Sequence, residues 1–181
     1  MDTAILLWIQ ENLRCGFTEW FFPMVTFLGD KGLIWLVIAG IMLFFRAYRK
    51  WGIALLCTLA LTALIGEVLL KHLVERPRPF THFPELQLLI PEPNSFSFPS
   101  GHSASSFAAA AVIFQCRKSF GIPAFILAGL IAFSRLFLFV HYPTDVLAGI
   151  ALGCIMAYLI CFLLRKYWNL QPVLIKKEPA S

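Results

Sequence analysis

The sequence predicts an all-α protein, a polytopic transmembrane helical bundle with five to six spans plus short interfacial helices at the N-terminus. Three observations carry this. The 181 residues are 59% hydrophobic and 14% charged, against about 25% charged in a soluble domain. Mean hydropathy is +0.77. The apolar runs approach the roughly 20 residues a helix needs to cross a bilayer, and basic residues punctuate them in alternate short loops. The length fits one domain over 1–181.

The segment 1–29 mixes acids and aromatics in "AILLWIQENLRCGFTEWFFPMVTFLG", a pattern that suits helices lying at the membrane surface; a sixth span there is the alternative. The first span is Gly32–Phe45, and Trp51–Leu70 is the second, with Glu67 near its end. Ser103–Cys116 is short, and Phe98–Cys116 reaches about 20 residues if its Pro-Ser-Gly-His is sunk into the interface. Phe120–Val140, with Arg135 near its end, and Thr144–Leu164 complete the set. The connection 71–102 carries six prolines and is expected to be stiff and non-helical. The start has no basic leading region or small-residue cleavage site, so no removable signal peptide is read. None of the five cysteines forms a Cys-x-x-Cys pair, so free thiols are expected rather than a metal cluster or disulfide frame. Trp8, Trp20, Trp51, Tyr142, Tyr158, Tyr167 and Trp168 read as an aromatic belt.

Alternating spans place Arg46–Lys50, Arg117–Lys118 and the tail 165–181 on one side, with nine Lys/Arg and one acid, Glu178. Basic short loops face the cytoplasm. The loop 71–102 and the turn Arg135–Asp145 then share the outer face. The net charge of +5 is mostly this topology signal, and no basic patch with interleaved aromatics on a soluble fold is visible for nucleic acid.

Charged groups at the edge of membrane helices are costly and default to functional candidates. Lys71, Arg78 and Arg135 hold charge at neutral pH and suit a multiply charged anion, Arg by its planar two-pronged fork. Ser100 and Gly101 open a helix, whose free N–H groups and dipole favour an anion, and glycine permits close approach. His102 follows, placed to exchange a proton near the same anion. His141 and Asp145 are four apart, with Pro143 suited to a first helical turn. The carboxylate can hold one ring nitrogen and leave the other facing the anion as a nucleophile.

These residues resemble the phosphatidic acid phosphatase type 2 superfamily of integral membrane lipid phosphatases. Its three motifs are intact: Lys71, six residues, Arg78-Pro79; Pro99-Ser100-Gly101-His102; and Ser134-Arg135, five residues, His141, three residues, Asp145. The resemblance implies a helical bundle and hydrolysis through a phosphohistidine on His141. It makes His102 the proton donor to the leaving oxygen and Asp145 the group that orients His141. Lys71, Arg78, Ser100, Gly101 and Arg135 then hold the phosphate, and no metal or other cofactor is required. The substrate is a membrane lipid phosphate. Undecaprenyl pyrophosphate is preferred, with phosphatidylglycerol phosphate and phosphatidate as alternatives.

Taken singly, each residue has a plainer reading. Lys71 and Arg135 fit snorkelling anchors, His141 an interfacial histidine, and Ser100 or Asp145 a helix cap. Their joint spacing argues against five separate accidents. Glu67 and Glu75 each lie four residues from Lys71 and suit simple pairing with it. Arg76 fits either phosphate or headgroup contact. Two other classes are a lipid or ion transporter using the basic cleft, against which stands the lack of a convincing internal repeat, and a non-catalytic scaffold, which would not need His102, His141 and Asp145 together.

Overall fold

The computed structural model describes residues 2–173. Helices α1 (Asp2–Leu13), α2 (Gly16–Gly29), α3 (Leu33–Phe44), α4 (Arg49–Ala63), α5 (Lys71–Val74), α6 (Gly101–Cys116), α7 (Lys118–Phe137) and α8 (Pro143–Trp168) form one bundle. A 3-10 turn, Asp30–Gly32, joins α2 to α3, and a π-helical segment, Leu64–Leu70, joins α4 to α5.

α6 is the central element, packed against α4, α7 and α8. Ten of its 16 residues are buried, among them Ala104, Ala108, Ala109, Ala110 and Ala111. Small side chains let neighbouring backbones approach closely, as membrane interiors require in place of a hydrophobic drive between helices. The closest approach is to α8, where Gly149 and Gly153 lie one turn apart. A Cβ at Gly149 would meet the Ser100 carbonyl, and one at Gly153 would meet the backbone of Ala104 and Ala108. On the other side the core is filled by Trp35, Trp51, Leu55, Val112 and Ile131. The buried indole of Trp35 donates to Ser106 Oγ at 3.0 Å, so neither polar group is left unsatisfied.

Two features differ from the sequence reading. The segment 1–29 was expected at the surface, with the first span starting at Gly32. Instead, α2 and α3 run together as Gly16–Phe44, one 29-residue stretch long and apolar enough to cross a membrane. The acids of this stretch are accommodated: Glu19, which argued against a crossing, pairs with Arg14 at 2.8 Å, and Asp30, just beyond 1–29, with His102 at 2.8 Å. α1 remains separate and, at 12 residues, is too short to cross. The second difference is the count. Among the described residues, four stretches meet the length and apolarity of a span, Gly16–Phe44, Arg49–His82, Lys118–Phe137 and Pro143–Trp168, rather than five or six. The missing one is α6, whose 16 residues rise only about 24 Å.

The connection 71–102 is not wholly a loop. The second span continues helically through Lys71 to Val74 and ends at Glu75 in a left-handed conformation, φ 48°. Pro79–His82 forms a 3-10 turn. Phe80, Phe83, Leu86 and Leu88 then pack on Leu6 of α1 and on Phe139 and Tyr142. At the opposite end the basic segments gather as expected: Lys50 Nζ donates to the Trp168 carbonyl at 3.0 Å and Arg117 Nη1 to the Tyr48 hydroxyl at 3.3 Å. All five cysteines are free.

The α6–α8 contact yields a prediction. Gly153→Ala should destabilise the folded protein in detergent by about 1–3 kcal/mol, the usual cost of overpacking. Gly129→Ala, where nothing lies within 4 Å of the added Cβ, should unfold with the wild type. Equal unfolding midpoints for the two variants would show that the helices are not in close contact there.

Candidate active site

Three segments converge at the Gly101 end of α6. Ser100 is the N-cap, in extended conformation, and its Oγ accepts from the Ser103 N–H at 3.4 Å and from the Ser103 hydroxyl at 2.9 Å. Its own N–H donates to the Asp145 carbonyl at 3.0 Å, tying the α6 terminus to α8. Gly101 was expected to give an anion access to the backbone. The structure adds another reason for glycine, because a side chain there would collide with the Glu67 carboxylate.

α8 begins with Pro143 in its first turn, and the Asp145 carboxylate accepts from the Tyr142 N–H at 2.9 Å. The same oxygen accepts from Ser97 Oγ at 2.5 Å. The other accepts from Arg76 Nη1 at 2.6 Å. Asp145 is thus fully buried with both oxygens engaged. His141 Nδ1 lies 3.7 Å from Asp145 Oδ2, beyond hydrogen-bond length, and has no other partner among the described residues. The opposite nitrogen, Nε2, is 3.3 Å from Arg78 Nη1. A guanidinium only donates, so Nε2 is the acceptor and the proton belongs on Nδ1, toward Asp145. Burial pushes the imidazole below its ordinary pKa and keeps it neutral, as a nitrogen nucleophile must be.

The cations surround this ring. Arg78 is aimed by Ser95, donating Nε to its carbonyl at 2.6 Å and Nη2 to its hydroxyl at 3.0 Å, and Nη1 also donates to the Val140 carbonyl at 2.8 Å. Lys71 Nζ donates to Glu67 at 2.7 Å and to Ser95 Oγ at 3.1 Å. Arg135 is 3% exposed and donates Nη1 to Thr26 Oγ1 at 2.5 Å, but its Nε has no partner among the described residues. Lys71, Arg78, Gly101, His102, Arg135 and His141 all line one cavity of about 620 Å³. Ser100 and Asp145 are buried behind it, linked as described. All eight residues singled out from the sequence therefore meet.

Others were not foreseen. Arg76 grips Asp145, Thr144 (2.7 Å) and Asp2 (3.1 Å) and lies over the Tyr142 ring at 3.9 Å. Its position two residues before Arg78 was visible; its partner was not. Ser95 and Ser97 carried no signal among the loop's serines. Thr26 comes from the stretch 1–29, read as interfacial, and Asp30 follows directly after it.

A membrane-embedded cavity lined by cations around a neutral, buried histidine defines a class: a multi-pass membrane protein built to act on a phosphorylated lipid. The comparisons place the chain within that class. Residues 51–169 match the PAP2 superfamily. Undecaprenyl-diphosphatase from Sulfolobus acidocaldarius is 33% identical over 139 residues, 75% of this chain and 67% of that protein. Decaprenylphosphoryl-5-phosphoribose phosphatase from Mycobacterium tuberculosis is 35% identical over 135 residues, 73% of this chain and 72% of that protein. The crystal structure of a transmembrane PAP2-type phosphatidylglycerolphosphate phosphatase from Bacillus subtilis superposes with TM-score 0.74 at 30% identity, covering 92% of this chain and 85% of that one. The chain belongs to the PAP2 superfamily and is a membrane lipid phosphatase.

The grip of Arg76 on Asp145 can be tested directly. Arg76→Ala should lower kcat for lipid phosphate hydrolysis by up to about 100-fold, the effect of a small misplacement at the chemistry, with little change in KM. Arg76→Lys keeps the charge without the fork and should fall between. Wild-type kcat in Arg76→Ala would mean that Asp145 is held well enough by Ser97 and Tyr142 alone.

Proposed function

We propose that this protein hydrolyses a membrane lipid pyrophosphate, best represented by undecaprenyl pyrophosphate, at the outer face of the membrane through a phosphohistidine on His141. The observation that carries the reading is the convergence of Lys71, Arg78, Arg135 and His102 on one cavity with a buried, neutral His141, whose Nε2 faces Arg78. The terminal phosphate binds among those cations and the α6 N-terminus. Nε2 attacks phosphorus while Asp145 stabilises the positive charge that develops on the ring. The bond to the leaving oxygen breaks, and His102 supplies its proton. Water then releases phosphate from His141. The fixed cations neutralise the charge that develops on the phosphoryl oxygens, so the reaction needs no metal.

The diphosphatase likeness supports pyrophosphate, as does a fourth cation, Lys31, at the cavity lining. Phosphatidylglycerol phosphate is the second candidate, favoured by the likeness to the Bacillus subtilis structure. The cavity wall continues into Leu36, Leu59 and Ala63 of α3 and α4, an apolar side along which a lipid tail can remain in the bilayer. Keeping it there avoids a cost of about 0.8 kcal/mol per exposed CH₂.

Phosphate release by purified protein in EDTA, against a panel of undecaprenyl pyrophosphate, phosphatidylglycerol phosphate and phosphatidate, tests substrate and metal independence together. Undecaprenyl pyrophosphate should give the highest kcat/KM, and His141→Ala should abolish turnover of all three. Activity lost in EDTA and restored by Mg²⁺ would overturn the mechanism, and preference for another lipid would overturn the substrate.

Orientation is tested separately. Cysteine placed at Thr81 or Asn94 in a functional cysteine-free background should react with an impermeant maleimide on intact cells. Reaction only after lysis would put the site on the cytoplasmic face.

A further inference from the structure

The turn between α2 and α3 carries a carboxylate that the family match, which begins at residue 51, does not reach. Asp30 Oδ1 lies 2.8 Å from His102 Nε2, and both residues line the central cavity. The backbone is bent to put it there. Asp30 is followed by two residues with positive φ, Lys31 at 50° and Gly32 at 71°. A non-glycine residue in that region costs on the order of 1 kcal/mol. Behind the pair, Gly29 leaves room for the ring: a Cβ there would come within 2.9 Å of His102 Cδ2 and 2.7 Å of Ile131. Glycine, acid and break in the helix together seat the imidazole against the carboxylate.

From this geometry we infer that Asp30 is the positioning residue for His102, fixing its ring and favouring, against burial, the imidazolium that protonates a poor leaving group. The inference rests on the reading of His102 as proton donor given above. An imidazolium has two N–H groups. One is engaged by Asp30, and Nδ1 makes no hydrogen bond with the described residues, so it is the donor left for substrate. As Nε2 of His141 bonds to phosphorus, the P–O bond breaks and its electron pair goes to the leaving oxygen. That oxygen takes the Nδ1 proton, and His102 is left neutral with its other N–H on Asp30. The charged groups sharing the cavity with His102 are Lys31 on the same turn, Glu67 and Lys71 on the second span, Arg78 beyond it, and Arg135 on α7. Four are cations, which oppose protonation of His102, as does its burial, the largest cause of an imidazole pKa below the ordinary value. The only other acid, Glu67, is already bonded to Lys71. Asp30 is the acid in direct contact with the ring.

The test compares two substrates of matched chain length in wild type, Asp30→Asn, Asp30→Glu, His102→Ala and the double variant Asp30→Asn/His102→Ala. One is a long-chain alkyl phosphate, whose alkoxide must be protonated. The other is an alkyl-nitrophenyl phosphate, whose leaving group departs without a proton. His102→Ala should lose about 100-fold on the first, the usual contribution of a general acid, and far less on the second. Asp30→Asn should show the same selectivity, losing about 10-fold on the alkyl substrate, and the double variant should be no worse than His102→Ala. The alkaline limb of kcat/KM should move to lower pH by about one unit in Asp30→Asn, because the imidazolium has lost its counter-charge. Asp30→Glu should recover part of both effects.

Equal losses on the two substrates, an unmoved alkaline limb, or losses that multiply in the double variant would overturn the role of Asp30 while leaving His102 as the acid. If His102→Ala itself shows no leaving-group dependence, the proton-donor reading fails and the inference falls with it. Should Asp30→Asn not fold, Asp30→Glu decides alone. A partial shift of the limb with selective loss on the alkyl substrate supports the role, and wild-type behaviour or an unselective loss removes it.

Discussion

The structure depends on keeping positive charge inside a membrane protein without fully neutralising it. Lys71, Arg78 and Arg135 are each 5% exposed or less, and only Lys71 is bonded to a carboxylate. Arg78 is held by carbonyls, a serine and the His141 ring, and Arg135 by one threonine hydroxyl. Burying an under-compensated charge costs several kcal/mol. The surrounding bundle must supply that cost through packing, which accounts for the close α6–α8 contact beside the site. A phosphate dianion entering the cavity provides the missing counter-charge, so binding relieves a penalty already present in the fold.

The carboxylates divide accordingly. Asp145 accepts from donors on two segments, Arg76 and Ser97 of the 71–102 connection and Tyr142 of the turn before α8, and Arg76 donates in turn to Asp2 of α1. It is fully buried. Asp30 sits at the mouth, with its side chain half exposed, on a turn between two helices. One acid is locked behind the nucleophile and the other stands on a bent segment beside His102.

Much of this was legible in the residues alone, and the limits have physical reasons. The motif residues were found because spacing on a helix or in a capped turn fixes which side chains share a face. His141, Pro143 and Asp145 are an example. The extension of the first span into α2 was not preferred because its acid Glu19 lowered the local apolarity, and the partner that makes that acid tolerable, Arg14, is not expressed in hydropathy. The grip of Arg76 on Asp145, and the parts played by Ser95 and Ser97, were missed for a related reason. Their contacts join the connection to residues about 20 to 70 positions away, and no local period records such pairings. The prolines of 71–102 argued against helix in that segment, but did not indicate that its aromatics would pack over the end of the bundle.

The shortness of α6 has one further consequence. Its far end is marked by Arg117 and Lys118, which belong at a water boundary. About 24 Å of helix from there stops some 6 Å short of crossing a hydrocarbon layer about 30 Å thick. The Gly101 end of α6, where the proposed function places the phosphate, therefore sits at the bottom of a well walled by the longer helices α7 and α8. A lipid headgroup must descend into that well below its neighbours in the leaflet, and the depth it must travel grows with the thickness of the membrane. Bilayer composition thus becomes a determinant of turnover through distance alone, independent of any headgroup contact.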